Sequence, residues 1–277
     1  MPFSPAYATW CGNGLNEDVE SSYRYGKLAV CLLKMLGSNR FTARVFIVVY
    51  SLVNIRKEPL QCSMDKLLEG YNAGCVYGDI EYGYWNLQAY SSIALYSSQN
   101  LVTLQQDMRS YIKRAIQCNQ VTVLLGILPL LFTALELTGE ASREDICNKF
   151  LHTTEDALIE YLKYKNELRA CILMWNCRKY SCIFKGDMAG AVKIYAVWNH
   201  NQYGVRLRTI PYFLNVFADG IISFYMAREH GHDEQQWTKA GQGKIETMRK
   251  WTYHGSKWNF ENKLYLLEAE YFFLKGK

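Results

Sequence analysis

The chain has 277 residues, of which 49% are hydrophobic and 21% charged, and it carries a formal net charge of +5. This composition excludes a disordered segment, which combines low hydrophobicity with high net charge. The mild basic excess, spread among acids rather than gathered in blocks, does not call for nucleic acid as a partner. Five prolines and nineteen glycines are ordinary numbers, and no low-complexity linker divides the chain.

Residues 1–17 hold Pro, Ser, Gly and Asn without a basic start or a long apolar run. They read as an irregular N-terminal segment and not as a signal peptide, which gives a cytoplasmic placement by default. From residue 18 onward, apolar residues recur at three- and four-residue steps, the period of helices with one buried face. The expected helices are 18–36, 40–55, 63–77, 80–97, 101–117, 121–138, 143–163, 167–185, 188–199, 209–230, 235–253 and 258–275. A strand at 45–50 is the competing reading of a β-branched run, but its flanks keep the helical period and no hairpin partner is adjacent.

Six glycines end apolar runs: Gly37, Gly78, Gly139, Gly186, Gly231 and Gly276, at intervals of 41, 61, 47, 45 and 45 residues. Glycine stops a helix by accepting positive φ, and Ser38, Asp79 and Asp187 stand where a side-chain oxygen can cap the next one. Helix, tight turn and antiparallel helix is therefore the unit. The expected fold is all-α, an antiparallel helix-pair solenoid of about twelve helices forming a single array over 18–277.

The most apolar stretch, 121–135, has fifteen residues without charge, fewer than the roughly 20 that cross a bilayer. It reads as a buried helix, kinked at Pro129, with no membrane span. The nine cysteines, Cys11, Cys31, Cys62, Cys75, Cys118, Cys147, Cys171, Cys177 and Cys182, include no pair with zinc-site spacing. They are expected to be reduced, small apolar residues of helices, and their odd number suits a reducing compartment.

Trp175, Ser181, Gly186, Asp187, Ala191 and Tyr195 resemble the tetratricopeptide pattern: an aromatic, a small contact residue, a Gly-Asp turn, then a small residue and an aromatic. Tyr77, Gly78 and Asp79 followed by Gly83 repeat the turn and the small contact. Arg178 and Lys179 depart from the pattern, which prefers apolar and small residues there. Longer strings resemble the helical-repeat region of large multidomain signalling ATPases of the AAA/STAND type. They are Lys57-Glu58-Pro59-Leu60-Gln61, Leu68-Glu69-Gly70-Tyr71, Arg249-Lys250-Trp251, Trp258-Asn259-Phe260-Glu261-Asn262-Lys263-Leu264 and Leu267-Glu268-Ala269-Glu270. The resemblance spans about 21–276 and implies a tetratricopeptide-like scaffold associated with protein-kinase, histidine-kinase or cyclase modules.

No phosphate loop, kinase signature or Gly-x-Ser-x-Gly elbow is present. His230, His232, Asp233 and Glu234 form a possible ligand cluster, but their place at a helix junction suits the macrodipole. The pairs Glu155/Asp156 and Glu268/Glu270 are explained as exposed helix faces. Basic groups occur at Arg109, Lys113 and Arg114, at Arg206 and Arg208, and at Lys244, Arg249 and Lys250. Aromatic residues make up 14% of the chain, and Trp175, Trp251 and Trp258 are expected in the core. Leu264, Leu267, Tyr271 and Leu274 at the end of the array would lack a partner on one side, so a truncated C-terminus or a covering chain is expected.

The sequence thus points to a non-catalytic scaffold or regulatory segment of a multidomain signalling ATPase that contacts proteins or neighbouring domains. It is not an enzyme in this reading, with no catalytic, cofactor-binding or metal residues and no cofactor. A freestanding peptide- or helix-binding adaptor is the alternative, and an all-α enzyme with a pocket of scattered residues is the third reading.

Overall fold

Apolar spacing of three and four residues is realised as helix wherever the chain can be followed. The computed structural model describes residues 18–97, 99–140, 153–197, 209–229 and 233–276. Among these, twelve α-helices and no strand are found. They are α1 (Val19–Met35), α2 (Thr42–Val48), α3 (Met64–Tyr77), α4 (Ile80–Tyr96), α5 (Leu101–Gln117) and α6 (Val121–Thr138), followed by α7 (Glu155–Tyr164), α8 (Leu168–Phe184), α9 (Met188–Val197), α10 (Ile210–Glu229), α11 (Glu234–His254) and α12 (Lys257–Leu274).

Five of the six punctuating glycines, Gly37, Gly78, Gly139, Gly186 and Gly276, have positive φ; Gly231 lies outside the described residues. Two further helix ends use asparagine instead, Asn119 at φ 53° after α5 and Asn166 at φ 58° after α7. Asparagine tolerates this conformation through local hydrogen bonding, so a search for glycine alone misses these turns. The capping expectation holds at Asp187, whose Oδ1 accepts from Gly190 N at 2.9 Å. It fails at Ser38 and Asp79, which accept no capping bond. Asp79 instead takes Arg44 Nε at 2.7 Å and Nη2 at 3.2 Å.

The expected helix 40–55 is irregular. A 3-10 turn at Asn39–Phe41 precedes α2, a π turn follows at Val49–Val53, and a 3-10 turn closes it at Asn54–Arg56. Here α1 comes close: a Cβ on Gly26 would stand 3.0 Å from Val53 Cγ1.

The described residues divide into two compact units: 18–97, 209–213 and 246–266 form one, and 99–140, 153–197, 214–229, 233–245 and 267–276 the other. In the first, α3 and α4 are joined by two residues and pack together, and α2 packs on both. Their closest approach is glycine on glycine, since a Cβ on Gly74 would meet Gly83 Cα at 2.5 Å. Asn86 donates to Ala43 O at 2.8 Å and Tyr82 O at 2.7 Å, tying α4 to α2. Phe213, Trp251 and Phe260 stack edge to face or tilted, with centroids 4.7 to 5.8 Å apart.

In the second unit, α5 pairs with α6, and α8 touches α6, α7 and α9. Leu158, Ile159, Leu162, Cys171, Met174 and Trp175 form a core between α7 and α8. Helix α6 runs through Pro129 without interruption from Val121 to Thr138, the 18 residues expected of it and three more than its uncharged stretch. By length and composition α6 and α10 are each able to cross a membrane, and in this fold 56% and 78% of those windows are buried. In this fold the residues Ile127 to Leu135 of α6 are buried.

Candidate functional site

The second unit contains a cleft of about 330 Å³ lined by Glu136, Thr154, Glu155, Asp156, Arg178, Cys182 and Ile194. Four helices supply these residues: the last turn of α6, the start of α7, the outward face of α8 and one residue of α9. Thr154 caps α7, its Oγ1 accepting from Ala157 N at 3.1 Å, and places Glu155 and Asp156 in the first turn, where acids complement the macrodipole.

Arg178 bridges the two acids. Its Nε donates to Glu155 Oε2 at 2.6 Å, and Nη2 lies 2.7 Å from Asp156 Oδ1. Its guanidinium also sits 5.2 Å from the Trp175 ring centre. Glu155 is only 4% exposed, whereas the Asp156 side chain is 80% exposed, so the pair is not the exposed helix face that the sequence suggests. Lys185 reaches Glu136 at 2.8 Å at the rim. Three carboxylates against one guanidinium in the lining leave the cleft with acidic character, suited to a cationic group.

A buried charge cluster lies elsewhere in the same unit. Lys179 Nζ is 2.5 Å from Asp219 Oδ1, and Lys244 Nζ is 3.3 Å from Asp219 Oδ2. Lys179 and Asp219 are nearly inaccessible. Burial and the Asp219 charge push the Tyr195 hydroxyl above its ordinary value. Burial, with the neighbouring Cys177, pushes Tyr180 up to about 12. Thus Arg178 and Lys179, which break the tetratricopeptide pattern, each hold an acid from another helix.

The six residues quoted for that pattern are all described. Trp175, Ser181 and Ala191 are buried, Gly186 has φ 76°, Asp187 caps α9, and Tyr195 meets Trp237 at 5.8 Å. Of the tryptophans expected inside, Trp175 and Trp251 are buried, but Trp258 is 80% exposed. Leu264 and Leu267, expected to lack a partner, are buried instead.

Arg109 pairs with Glu140 at 2.7 Å and Glu270 with Arg228 at 2.6 Å. Arg206, Arg208, His230, His232, Cys11 and Cys147 lie outside the described residues. None of the seven described cysteines is in a disulfide, and four of them, Cys31, Cys62, Cys75 and Cys118, are exposed rather than packed. Burial raises the Cys171 thiol above its usual value. Among the described residues, no group of three or more His, Cys, Asp or Glu is placed to hold a metal ion. The cleft was missed from sequence because Glu136, Glu155 and Arg178 are distant along the chain; the capping Thr154 followed by two acids was its one local signal.

No protein family, curated protein or solved structure matches the chain.

Proposed function

We propose that the chain is a non-catalytic, tetratricopeptide-like scaffold, a regulatory segment of a multidomain signalling ATPase in the cytoplasm. It docks a protein segment or a neighbouring domain and uses no cofactor. The supporting contacts are those of a helix with the next and the next but one, as in α2, α3 and α4 and again in α6 and α8, the pattern that stacked hairpins produce.

The observation that carries the reading is the acidic cleft walled by ion-paired helices. Glu136, Glu155 and Asp156 face it, and each is already held against a neighbouring helix or its own first turn by Arg178 or Lys185. A lysine or arginine side chain entering there exchanges with these cations and so adjusts how α6, α7 and α8 are held. A partner that binds one arrangement better than another biases the parent protein by that difference.

The test is calorimetric titration with a lysine- and arginine-containing peptide of about fifteen residues and with its glutamate-substituted counterpart. Binding of the basic peptide is expected, weakened by salt and by Asp156→Asn combined with Glu136→Gln. Equal binding of both peptides, or no effect of the double variant, overturns the reading.

A further inference from the structure

Within the second unit, helices α5 to α8 have a cationic end. The turn from α5 to α6 and the turn from α7 to α8 both reverse at an asparagine with positive φ, Asn119 and Asn166. Leu125, in the second turn of α6, packs on the core of α7 and α8, and Glu136 near the end of α6 meets Lys185 just past the end of α8. So α6 and α8 run parallel, and both begin at these turns. Stretches 113–121 and 160–169 hold five cations, Lys113, Arg114, Lys163, Lys165 and Arg169, against two acids, Glu160 and Glu167, a net charge of +3. The acidic cleft lies at the other ends of the same helices.

Apolar side chains stand among these cations. Ile116 and Val121 flank the first turn and are 60 and 55% exposed, and Tyr161 and Tyr164 precede the second, 56 and 82% exposed. Lys165 Nζ lies 5.7 and 5.5 Å from the centres of the two tyrosine rings. Lys163 is held by Glu160 at 2.7 Å, whereas Lys113 and Arg169 extend into solvent.

We infer that this end docks on an anionic membrane surface, with Lys113, Lys165 and Arg169 at the lipid phosphates and the two aliphatics and two tyrosines at the boundary of headgroups and acyl chains. The contact is peripheral, and no helix has to enter the bilayer. Charge complementarity is the first argument, since each cation near an anionic leaflet strengthens binding about fivefold. Residue type is the second: a tyrosine ring with a polar tip and a cationic head on an apolar stem both settle at headgroup depth. A single-stranded nucleic acid uses cations and tyrosines too, but it leaves Ile116 and Val121 in water. A protein partner needs about 800 Å² from each side. At about 150 to 250 Å² for each large side chain, these four offer roughly half of that, and a lipid surface requires no matching shape.

The experiment is flotation of the whole chain with vesicles of phosphatidylcholine alone and with about 30% phosphatidylserine. Binding to the anionic vesicles only is expected, falling steeply by about 0.5 M salt. Lys113→Gln with Lys165→Gln and Arg169→Gln should weaken it at least about twentyfold. The same charge removed by Lys34→Gln, Lys193→Gln and Lys239→Gln, exposed lysines elsewhere, should weaken it less than about fivefold. Ile116→Ser with Tyr164→Ser keeps the charge and should weaken it about tenfold. All these side chains are exposed, so circular dichroism should match the parent; should one variant lose its fold, the others still decide. No binding, equal binding to neutral vesicles, equal losses in the two triple variants, or indifference to Ile116→Ser with Tyr164→Ser each overturns the inference. Tighter binding of a single strand of about 20 nucleotides than of the anionic vesicles overturns it in favour of nucleic acid.

Discussion

Asn259 holds Glu58 and its turn in place. The Asn259 amide donates to the carbonyl oxygens of Glu58 and Ile55 at 2.8 Å each, and its Oδ1 accepts from Leu60 N at 3.2 Å. Two strings that the resemblance singled out, Lys57 to Gln61 and Trp258 to Leu264, therefore meet through one buried side chain about 200 residues apart along the chain. Gly255 lies against the same turn, with room for no Cβ: one would stand 2.7 Å from Arg56 O.

Asn259→Ala should cost about 3 kcal/mol, since three backbone groups of a buried turn lose their partner and water cannot readily replace it. Urea denaturation of the variant measures it. A change under 1 kcal/mol would show that the turn keeps its form without this clamp.

The Glu58 side chain gives the stability of the first unit an acid limb. Burial pushes its carboxyl up, but hydrogen bonds from Lys27 and Tyr23 and the charge of Lys27 outweigh this and hold it below its ordinary value of 4.5. A carboxylate depressed in the folded state stabilises above its unfolded pKa, and that contribution is lost as pH falls through the folded value. Denaturation midpoints should therefore drop as pH goes below about 4.5, and Glu58→Gln should flatten the drop. Parallel curves for the two proteins would assign acid sensitivity to other groups.

Glycines at close contacts and glycines at turns should respond differently. Gly74→Ala puts a methyl group 2.5 Å from Gly83 Cα, against backbone that cannot yield, and should cost about 2 to 3 kcal/mol. Gly78→Ala meets nothing within 4 Å and should cost only the strain of φ +79°, about 1 kcal/mol. Gly78→Asn should recover much of that. Thermal melts of the three variants give the order directly.

Lys179→Met should destabilise by about 3 kcal/mol because Asp219 stays buried with the more distant Lys244 and the Asn215 amide in place of its short ion pair. Lys179→Met combined with Asp219→Leu should return to within about 1 kcal/mol of the parent, since an apolar pair needs no desolvation of charge. A double variant worse than the sum of its parts would mean that Asp219 serves Lys244 and Asn215 more than Lys179.

The sequence by itself determined the helices and most of their turns. A period of 3.6 residues and a residue that accepts positive φ are local properties, so most of the helices and the turns at Gly37, Gly78, Gly139, Gly186 and Gly276 were legible without any partner; the exceptions are 40–55, which is α-helical only over Thr42–Val48, and 143–163, whose described helix begins at Glu155. Only the tertiary structure decided what the polar residues do. Asp79 has the sequence of a cap but lies where Arg44 can reach it, and Arg178 and Lys179 find acids 23 and 40 residues away. It alone decided the inner face of α12 as well. That helix is apolar on both sides, so its period cannot choose between Leu264 and Tyr265; the neighbours that bury Leu264 and leave Tyr265 and Trp258 in water make the choice.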